Sequence, residues 1–310
     1  MAQATPARYT EREIVVGTAP LALPGLLTLP PGEGSFPLVV LVHGSGPNDR
    51  DETIGPNRPF RDLAHGLAGH GIAVLRYDKR TRAYPMSFAG RSFTVREETI
   101  DDALEAVRFA RTLPEIDPRR IVVAGHSLGG MLAPRIAALD GQLAGVILLA
   151  GASDESLPDM VERQLAYLKQ LPGADTASIA AQERAVAPGL ARVRALTPAD
   201  SADPSPILGA PAAYWLDLAA YEPLAVARTL EIPLLVIQGE RDYQAGPRGF
   251  ARWASELSNR PTVTLRLYPG LNHLFMAGSG PGNPAEYGVP GTVADEVISD
   301  VARWTSALRP

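Results

Sequence analysis

Residues 121–130, with the sequence I-V-V-A-G-H-S-L-G-G, restrict the possible folds of this chain more than any other stretch. The β-branched run at its start predicts a strand, and the apolar spacing of Met131, Leu132 and Ile136 predicts a helix directly after it. Ser127 therefore lies in a G-x-S-x-G turn between a strand and a helix. Such a turn is sharp and strained, and the flanking glycines let the backbone pass close by. This context predicts a nucleophile elbow, which exposes a serine hydroxyl above a sheet.

The rest of the chain predicts a mostly parallel, doubly wound α/β sheet. Short, continuous apolar runs of the kind that form buried parallel strands occupy residues 38–42, 72–75, 146–149 and 232–237. Segments with helical spacing separate them, and this alternation is typical of a parallel sheet covered on both faces. Residues 14–16 and 21–29 predict an initial antiparallel hairpin, and the alternation in residues 262–267 predicts a half-exposed strand near the sheet edge.

The alternation of strands and helices stops between residues 153 and 229, which are rich in Ala, Pro, Gln and Glu. We therefore expect an α/β domain made of residues 1–152 and 230–310, interrupted by a helical cap insertion at residues 153–229. Because the insertion follows the strand after the elbow, it leaves the sheet at the carboxyl edge, beside Ser127.

The apolar side chains of this insertion include two neighbouring aromatic residues, Tyr214 and Trp215. Small-molecule sites are lined mainly by apolar side chains, so we predict that these two residues line an acyl pocket and bind substrate. The alternative is that they only hold the cap onto the body of the protein.

Composition excludes several classes of function. The net charge of −5 is spread along the chain without the Lys and Arg clusters that nucleic-acid binding needs. The chain has no cysteine, which excludes disulfides, thiolate metal sites and a cysteine nucleophile. No H-E-x-x-H motif is present, and Asp49-x-Asp51 is interpreted as a salt-bridged loop, so neither a metal nor a cofactor is expected.

The N-terminal residues and the apolar runs indicate where in the cell the protein is located. Residues 1–12 are polar and lack the apolar core of a signal peptide. The longest apolar run, residues 143–152, is too short to span a bilayer. A soluble, cytoplasmic protein is expected, unless a leader has been removed.

A serine hydroxyl needs a base to take its proton and a third group to orient that base. His273 is the best candidate base, because it lies in a loop directly after the last strand, in the chain order Ser, Asp or Glu, then His. Asp242 follows the preceding strand and is predicted to orient His273, with Glu240 as the rival carboxylate. The second oxyanion donor, beside the Leu128 N–H, is predicted to be the Ser45 N–H, with Gly46 as the alternative.

These motifs resemble the α/β-hydrolase fold. The run H-G-S-G-P-N-D-R-D-E-T-I-G-P-N at residues 43–57, with R-Y-D-K-R-T at residues 76–81 and G-H-S-L-G-G, is similar to a subgroup of bacterial carboxylesterases. The resemblance implies a small-molecule ester as substrate. The residues that match the triad are Ser127, Asp242 and His273, and those at the oxyanion-hole positions are Ser45 and Leu128.

Charged residues in the same motifs are interpreted as an ion-pair network that fixes the oxyanion loop, which is the segment of residues 43–46 that carries Ser45. They are Asp49, Arg50, Asp51, Asp78 and Arg80.

The sequence thus predicts a serine hydrolase that cleaves short to medium acyl esters through an acyl-enzyme. A thioesterase, a peptidase or an acyltransferase uses the same triad and remains an alternative. A non-catalytic binding protein that kept the fold is a further alternative, against which the intact Ser, Asp and His argue.

Overall fold

The computed structural model describes residues 9–153 and 155–309, and it builds them around an eight-stranded sheet. Asp154, Pro310 and residues 1–8, which form most of the polar N-terminal segment, lie outside the described residues. The strands are β1 (Thr10–Val16), β2 (Leu23–Leu29), β3 (Phe36–Val42), β4 (Ala73–Tyr77), β5 (Ile116–His126), β6 (Gly145–Leu149), β7 (Leu234–Gly239) and β8 (Val263–Tyr268). The helices are α1 (Pro59–Gly69), α2 (Arg80–Ala83), α3 (Asp101–Ala110), α4 (Leu128–Asp140), α5 (Leu157–Lys169), α6 (Thr176–Arg194), α7 (Ala212–Ala219), α8 (Pro223–Thr229), α9 (Pro247–Leu257) and α10 (Asp295–Ala307).

The strand order across the sheet is β1-β2-β4-β3-β5-β6-β7-β8. β1 and β2 form the predicted antiparallel hairpin, and β2 also pairs antiparallel with β4. All pairs from β4 to β8 are parallel. β8 lies at the edge and is partly exposed, as its alternating sequence predicts. The expected mostly parallel α/β sheet is therefore confirmed.

Alternate residues of the central strands belong to two apolar layers, one on each face of the sheet. Val40 and Val123 belong to one layer, whereas Leu41 and Val122 belong to the other. α3, α4 and α9 cover the first face, and α1 and α10 cover the second. The sheet is thus doubly wound, and its continuous apolar strands are explained by burial on both faces.

The parallel register aligns the carboxyl ends of the strands. Val42 pairs with Gly125, His126 with Leu149, and Leu149 with Ile237. The loops that follow β3, β5 and β7 therefore start side by side at one edge of the sheet, which is where open α/β sheets bind their ligands.

Residues 153–229 contain α5, α6, α7 and α8 and, in the part that the structure describes, no strand. α5 reaches the loop after β7, since Arg163 donates from Nη1 to the Tyr243 carbonyl at 2.9 Å and from Nη2 to the Gln244 carbonyl at 2.6 Å. The helical character and the position at the carboxyl edge match the sequence-based expectation. The division into an α/β domain and a cap stays a prediction.

None of the helices in the two described ranges is both long and apolar enough to cross a membrane.

Candidate active site

Ser127 lies in the sharp turn between β5 and α4. Its backbone has φ 52° and ψ −116°, a conformation that costs a non-glycine residue about 1–3 kcal/mol. The turn is also crowded, because a Cβ on Gly125 would lie 2.1 Å from the Gly129 carbonyl oxygen and one on Gly129 would lie 2.3 Å from that of Val42. Only glycine fits at both positions, so the strained elbow geometry predicted from G-x-S-x-G is present.

His273 and Asp242 meet in a buried contact, with the His273 Nδ1 atom 2.7 Å from Asp242 Oδ2. Burial alone would raise the pKa of Asp242, but the charge and hydrogen bond of His273, together with Gln238 and a backbone amide, hold it below its ordinary value. The carboxylate therefore accepts the Nδ1 proton, which leaves Nε2 of His273 free to act as a base. Glu240 is exposed, so the structure favours Asp242 over its rival as the partner of His273.

Four donors hold the Asp242 carboxylate in place. Oδ2 accepts from His273 and from Gln238 Nε2 at 2.7 Å. Oδ1 accepts from the backbone amides of Gln244 at 2.8 Å and Ala245 at 3.1 Å. Gln238 is a buried polar side chain inside β7, and the sequence analysis did not single it out. The signal that could have identified it is a polar residue in an otherwise apolar strand.

His126 connects the elbow to the loop that carries His273. Its Nε2 atom donates to the His273 carbonyl oxygen at 2.9 Å, and the two imidazole rings are 4.6 Å apart between centroids. Because His126 directly precedes Ser127 in the chain, this contact ties the loop that carries the candidate base to the elbow.

The loop after β3 packs against the elbow. A Cβ on Gly44 would lie 3.1 Å from the Ser127 Cβ, so residue 44 runs directly past the candidate nucleophile. Ser45 follows it at an exposed position, and its N–H donates to no other group in the described residues. The Leu128 N–H stands at the first turn of α4, where the helix dipole favours negative charge. Both amides are thus placed near Ser127, as oxyanion-hole donors need to be.

Three of the five charged residues that were expected to form an ion-pair network, Arg50, Asp51 and Asp78, form ion pairs at the loop after β3. Arg50 Nε lies 3.0 Å from Asp78 Oδ1, and Arg76 Nη1 lies 2.8 Å from Asp51 Oδ1. Asp49 accepts the backbone amides of Asp51 and Thr53 and so closes the turn. Arg80 forms its ion pair away from this loop, with Asp102 in α3.

Two buried ion pairs beside Gly44 were missed by the sequence analysis. Glu52 Oε2 lies 2.9 Å from His126 Nδ1, and Lys79 Nζ lies 2.7 Å from Glu98 Oε1. Burial opposes both charges of the first pair, yet their mutual attraction lowers the pKa of Glu52 and raises that of His126. The attraction between Glu52 and His126 thus favours the charged form of each side chain.

Tyr214 and Trp215 are buried at the start of α7. The Trp215 Nε1–H donates to the Ile207 carbonyl at 2.7 Å, and the Tyr214 ring packs edge-on against Phe93, 5.9 Å between centroids. These contacts anchor both side chains within the apolar layer, and their role in an acyl pocket stays a prediction.

The geometry can be set beside known proteins. A model of the alpha/beta hydrolase family matches residues 39–286. Esterase EstD of Thermotoga maritima is 42% identical over 299 residues, which cover 96% of this chain and 68% of EstD. The structure of Est1E from Butyrivibrio proteoclasticus matches with a TM-score of 0.57 at 16% identity, over 95% of this chain and 99% of Est1E. The esterase Pf2001 of Pyrococcus furiosus matches with a TM-score of 0.55 at 16% identity, over 100% of this chain and 96% of its own. The two structures support the fold alone, whereas the family model and EstD extend over most of the sequence: the chain belongs to the α/β hydrolase family.

Proposed function

We propose that this chain is a serine carboxylesterase in which Ser127 is the nucleophile, His273 the general base and Asp242 the residue that orients it. The observation that carries the assignment is the buried 2.7 Å contact between His273 and Asp242, on the loops next to the strained turn of Ser127. The 42% identity to an esterase over nearly the whole chain supports carboxylic ester hydrolysis as the activity.

The acylation step follows from these positions. His273 Nε2 takes the Ser127 hydroxyl proton while the serine oxygen attacks the ester carbonyl carbon. The negative charge that develops on the carbonyl oxygen is held by the Ser45 and Leu128 amides, since each preorganised donor of this kind is worth about 10²–10³ in rate. His273 then gives its proton to the leaving alcohol, and the acyl group stays on Ser127.

Deacylation repeats these steps with water. His273 takes a proton from a water molecule, the hydroxyl attacks the acyl carbon, and the same two amides hold the oxyanion. The Ser127 oxygen leaves with the proton from His273, and the carboxylic acid is released. Asp242 stays ionised throughout and stabilises the imidazolium form of His273.

The cap is proposed to limit the acyl chain. Residues 153–229 stand at the carboxyl edge of the sheet, where α5 contacts the loop of Asp242. A roof that includes Tyr214 and Trp215 would favour short to medium acyl esters and exclude long chains. The cytoplasmic location inferred from the sequence belongs to the same proposal, and fractionation of cells that express the full chain tests it.

The test is a panel of p-nitrophenyl esters from acetyl to palmitoyl, run beside acyl-CoA thioesters and a peptide substrate. We expect the highest kcat/KM for short to medium esters, and at least about a 10⁴-fold loss for Ser127→Ala. Higher kcat/KM for the thioesters or the peptide would move the assignment to one of the alternative hydrolases with the same triad.

A further inference from the structure

Both backbone polar groups of Gly44 are held by buried charged side chains. Its carbonyl oxygen accepts from Lys79 Nζ at 2.8 Å and from Asn48 Nδ2 at 3.2 Å. Its N–H donates to Glu52 Oε1 at 2.6 Å. Loop backbone is usually bound to water or to other backbone groups, so a glycine fixed at both ends by buried ions calls for a reason.

The Lys79 ammonium is costly to bury. The side chains of Lys79 and Glu98 are 2% and 6% exposed, and their pair is completed by the Thr99 hydroxyl, which donates to Glu98 Oε2 at 2.7 Å. A buried ion pair is often no more stabilising than apolar residues of similar volume, because both ions lose their hydration. Stability alone therefore does not explain why a lysine occupies this position.

The geometry of the peptide unit gives the explanation. In a trans peptide the C=O and the following N–H point in opposite directions. The Gly44 carbonyl points at Lys79, so the Ser45 N–H of the same peptide unit points away from Lys79. Gly44 itself runs against the Ser127 side chain. The hydrogen bond from the Lys79 ammonium to the Gly44 carbonyl therefore fixes the direction in which the Ser45 N–H points.

We propose that Lys79 is a positioning residue that holds the Gly44–Ser45 peptide so that the Ser45 N–H faces the reacting carbonyl oxygen. This inference rests on the proposed function, in which that N–H is an oxyanion donor. Lys79 also polarises the peptide, because a carbonyl that accepts from a cation makes the N–H of the same unit a stronger donor.

Glu52 secures the other side of the same glycine. Through Oε1 it fixes the His43–Gly44 peptide, and through Oε2 it is paired with His126, whose ring donates to the His273 carbonyl. With one peptide unit fixed by Glu52 and the next by Lys79, neither can rotate alone. The oxyanion loop and the loop of the base are thereby tied to one buried framework.

The test compares two double variants that each neutralise a mostly buried ion pair. Lys79→Met with Glu98→Gln removes the contact to Gly44 without leaving a lone buried charge. Arg111→Met with Asp140→Asn is the matched control, since this pair joins the ends of α3 and α4 and its side chains are 20% and 5% exposed.

The readouts are kcat and KM for a p-nitrophenyl ester and the inhibition constants of a trifluoromethyl ketone and of its methyl ketone parent. The trifluoromethyl ketone forms a tetrahedral adduct whose oxyanion occupies the same site as that of the reaction. We expect the Lys79 double variant to lose about 10- to 100-fold in kcat with KM changed by less than about threefold. Its affinity for the trifluoromethyl ketone should fall by a similar factor, while that for the methyl ketone and the kinetics of the control stay near wild type.

Asn48→Ala provides a second variant in case the double variant does not fold. Asn48 is half-buried, and its backbone carbonyl still accepts from the Lys79 amide when the side chain is removed. The same selective loss, of about two- to tenfold, is expected because one of the two donors to the Gly44 carbonyl is gone.

Equal losses for both ketones, or a kcat within twofold of wild type in folded variants, would overturn the positioning role. Failure of the proposed function gives a different result, because wild-type protein would then not react with a fluorophosphonate at Ser127 at all.

Discussion

Replacement of Asp242 by asparagine should abolish most of the activity while leaving the fold in place. The asparagine Oδ1 can keep the backbone amides of Gln244 and Ala245, which the carboxylate binds at 2.8 and 3.1 Å. Its Nδ2 then faces His273 and Gln238. In the described residues Gln238 Oε1 has no hydrogen-bond partner, so rotation of that amide presents an acceptor to the new NH₂ group.

The catalytic cost follows from the tautomer of the base. The second Nδ2 hydrogen donates to His273 Nδ1, which forces the ring proton onto Nε2, the atom that must accept the Ser127 proton. A change of this kind lowers kcat by about 10⁴, or about 5.4 kcal/mol of transition-state stabilisation. The free energy of unfolding should fall by no more than about 2 kcal/mol, because only the charge on one hydrogen-bonded acceptor is lost.

The assay is kcat for p-nitrophenyl acetate together with the midpoint of urea unfolding. Glu240→Gln is the matched control, because it neutralises an exposed carboxylate two positions away and should leave kcat near wild type. A loss of less than about tenfold for Asp242→Asn, or a larger loss for Glu240→Gln, would refute the reasoning.

Three further predictions concern stability and specificity. Burial lowers the pKa of His43 from 6.5 to about 4, so the folded protein keeps this ring neutral where the unfolded chain is protonated. The free energy of unfolding therefore keeps this contribution above pH 6.5 and loses up to about 3 kcal/mol of it as the pH drops to about 4. His43→Gln should make the free energy of unfolding fall less steeply between these two pH values. An unchanged slope would contradict the prediction. Trp215→Ala should raise kcat/KM for longer acyl chains relative to shorter ones, by a factor that corresponds to about 1–3 kcal/mol of transition-state free energy. An unchanged chain-length profile with a lower Tm would give the indole a purely structural role. Gly129→Ala should lower the free energy of unfolding by more than about 3 kcal/mol, because its Cβ would lie 2.3 Å from the Val42 carbonyl oxygen. Gly69→Ala is the control and should leave the stability unchanged, since a Cβ at that position meets nothing within 4 Å. Equal Tm values for the two variants would contradict the close packing of the elbow.

The elements that the sequence predicts well are those with strong local patterns. Continuous apolar runs located β3, β6 and β7, and the G-x-S-x-G turn located the elbow, because burial on both faces and a sharp turn each leave a mark within a few residues. Asp242 and His273 were predicted as partners from their positions after the last two strands, and their side chains are in contact, while their catalytic roles stay a proposal.

The contacts that hold the site together leave no such local mark. Lys79 and Gly44 are 35 residues apart, and His126 and His273 are 147 apart. Lys79 and Glu52 each look like ordinary surface charges within motifs dense in charge, and only the folded chain shows that they are buried. Their partners are chosen by the crossing of loops from different strands, which residue spacing does not encode.

The role of Ser127 as the covalent nucleophile is tested by reaction with a fluorophosphonate followed by mass spectrometry of the intact protein and its peptides. We expect a single adduct on Ser127 in the wild-type protein and none in Ser127→Ala. An adduct on any other residue, or one that persists in Ser127→Ala, would contradict this role.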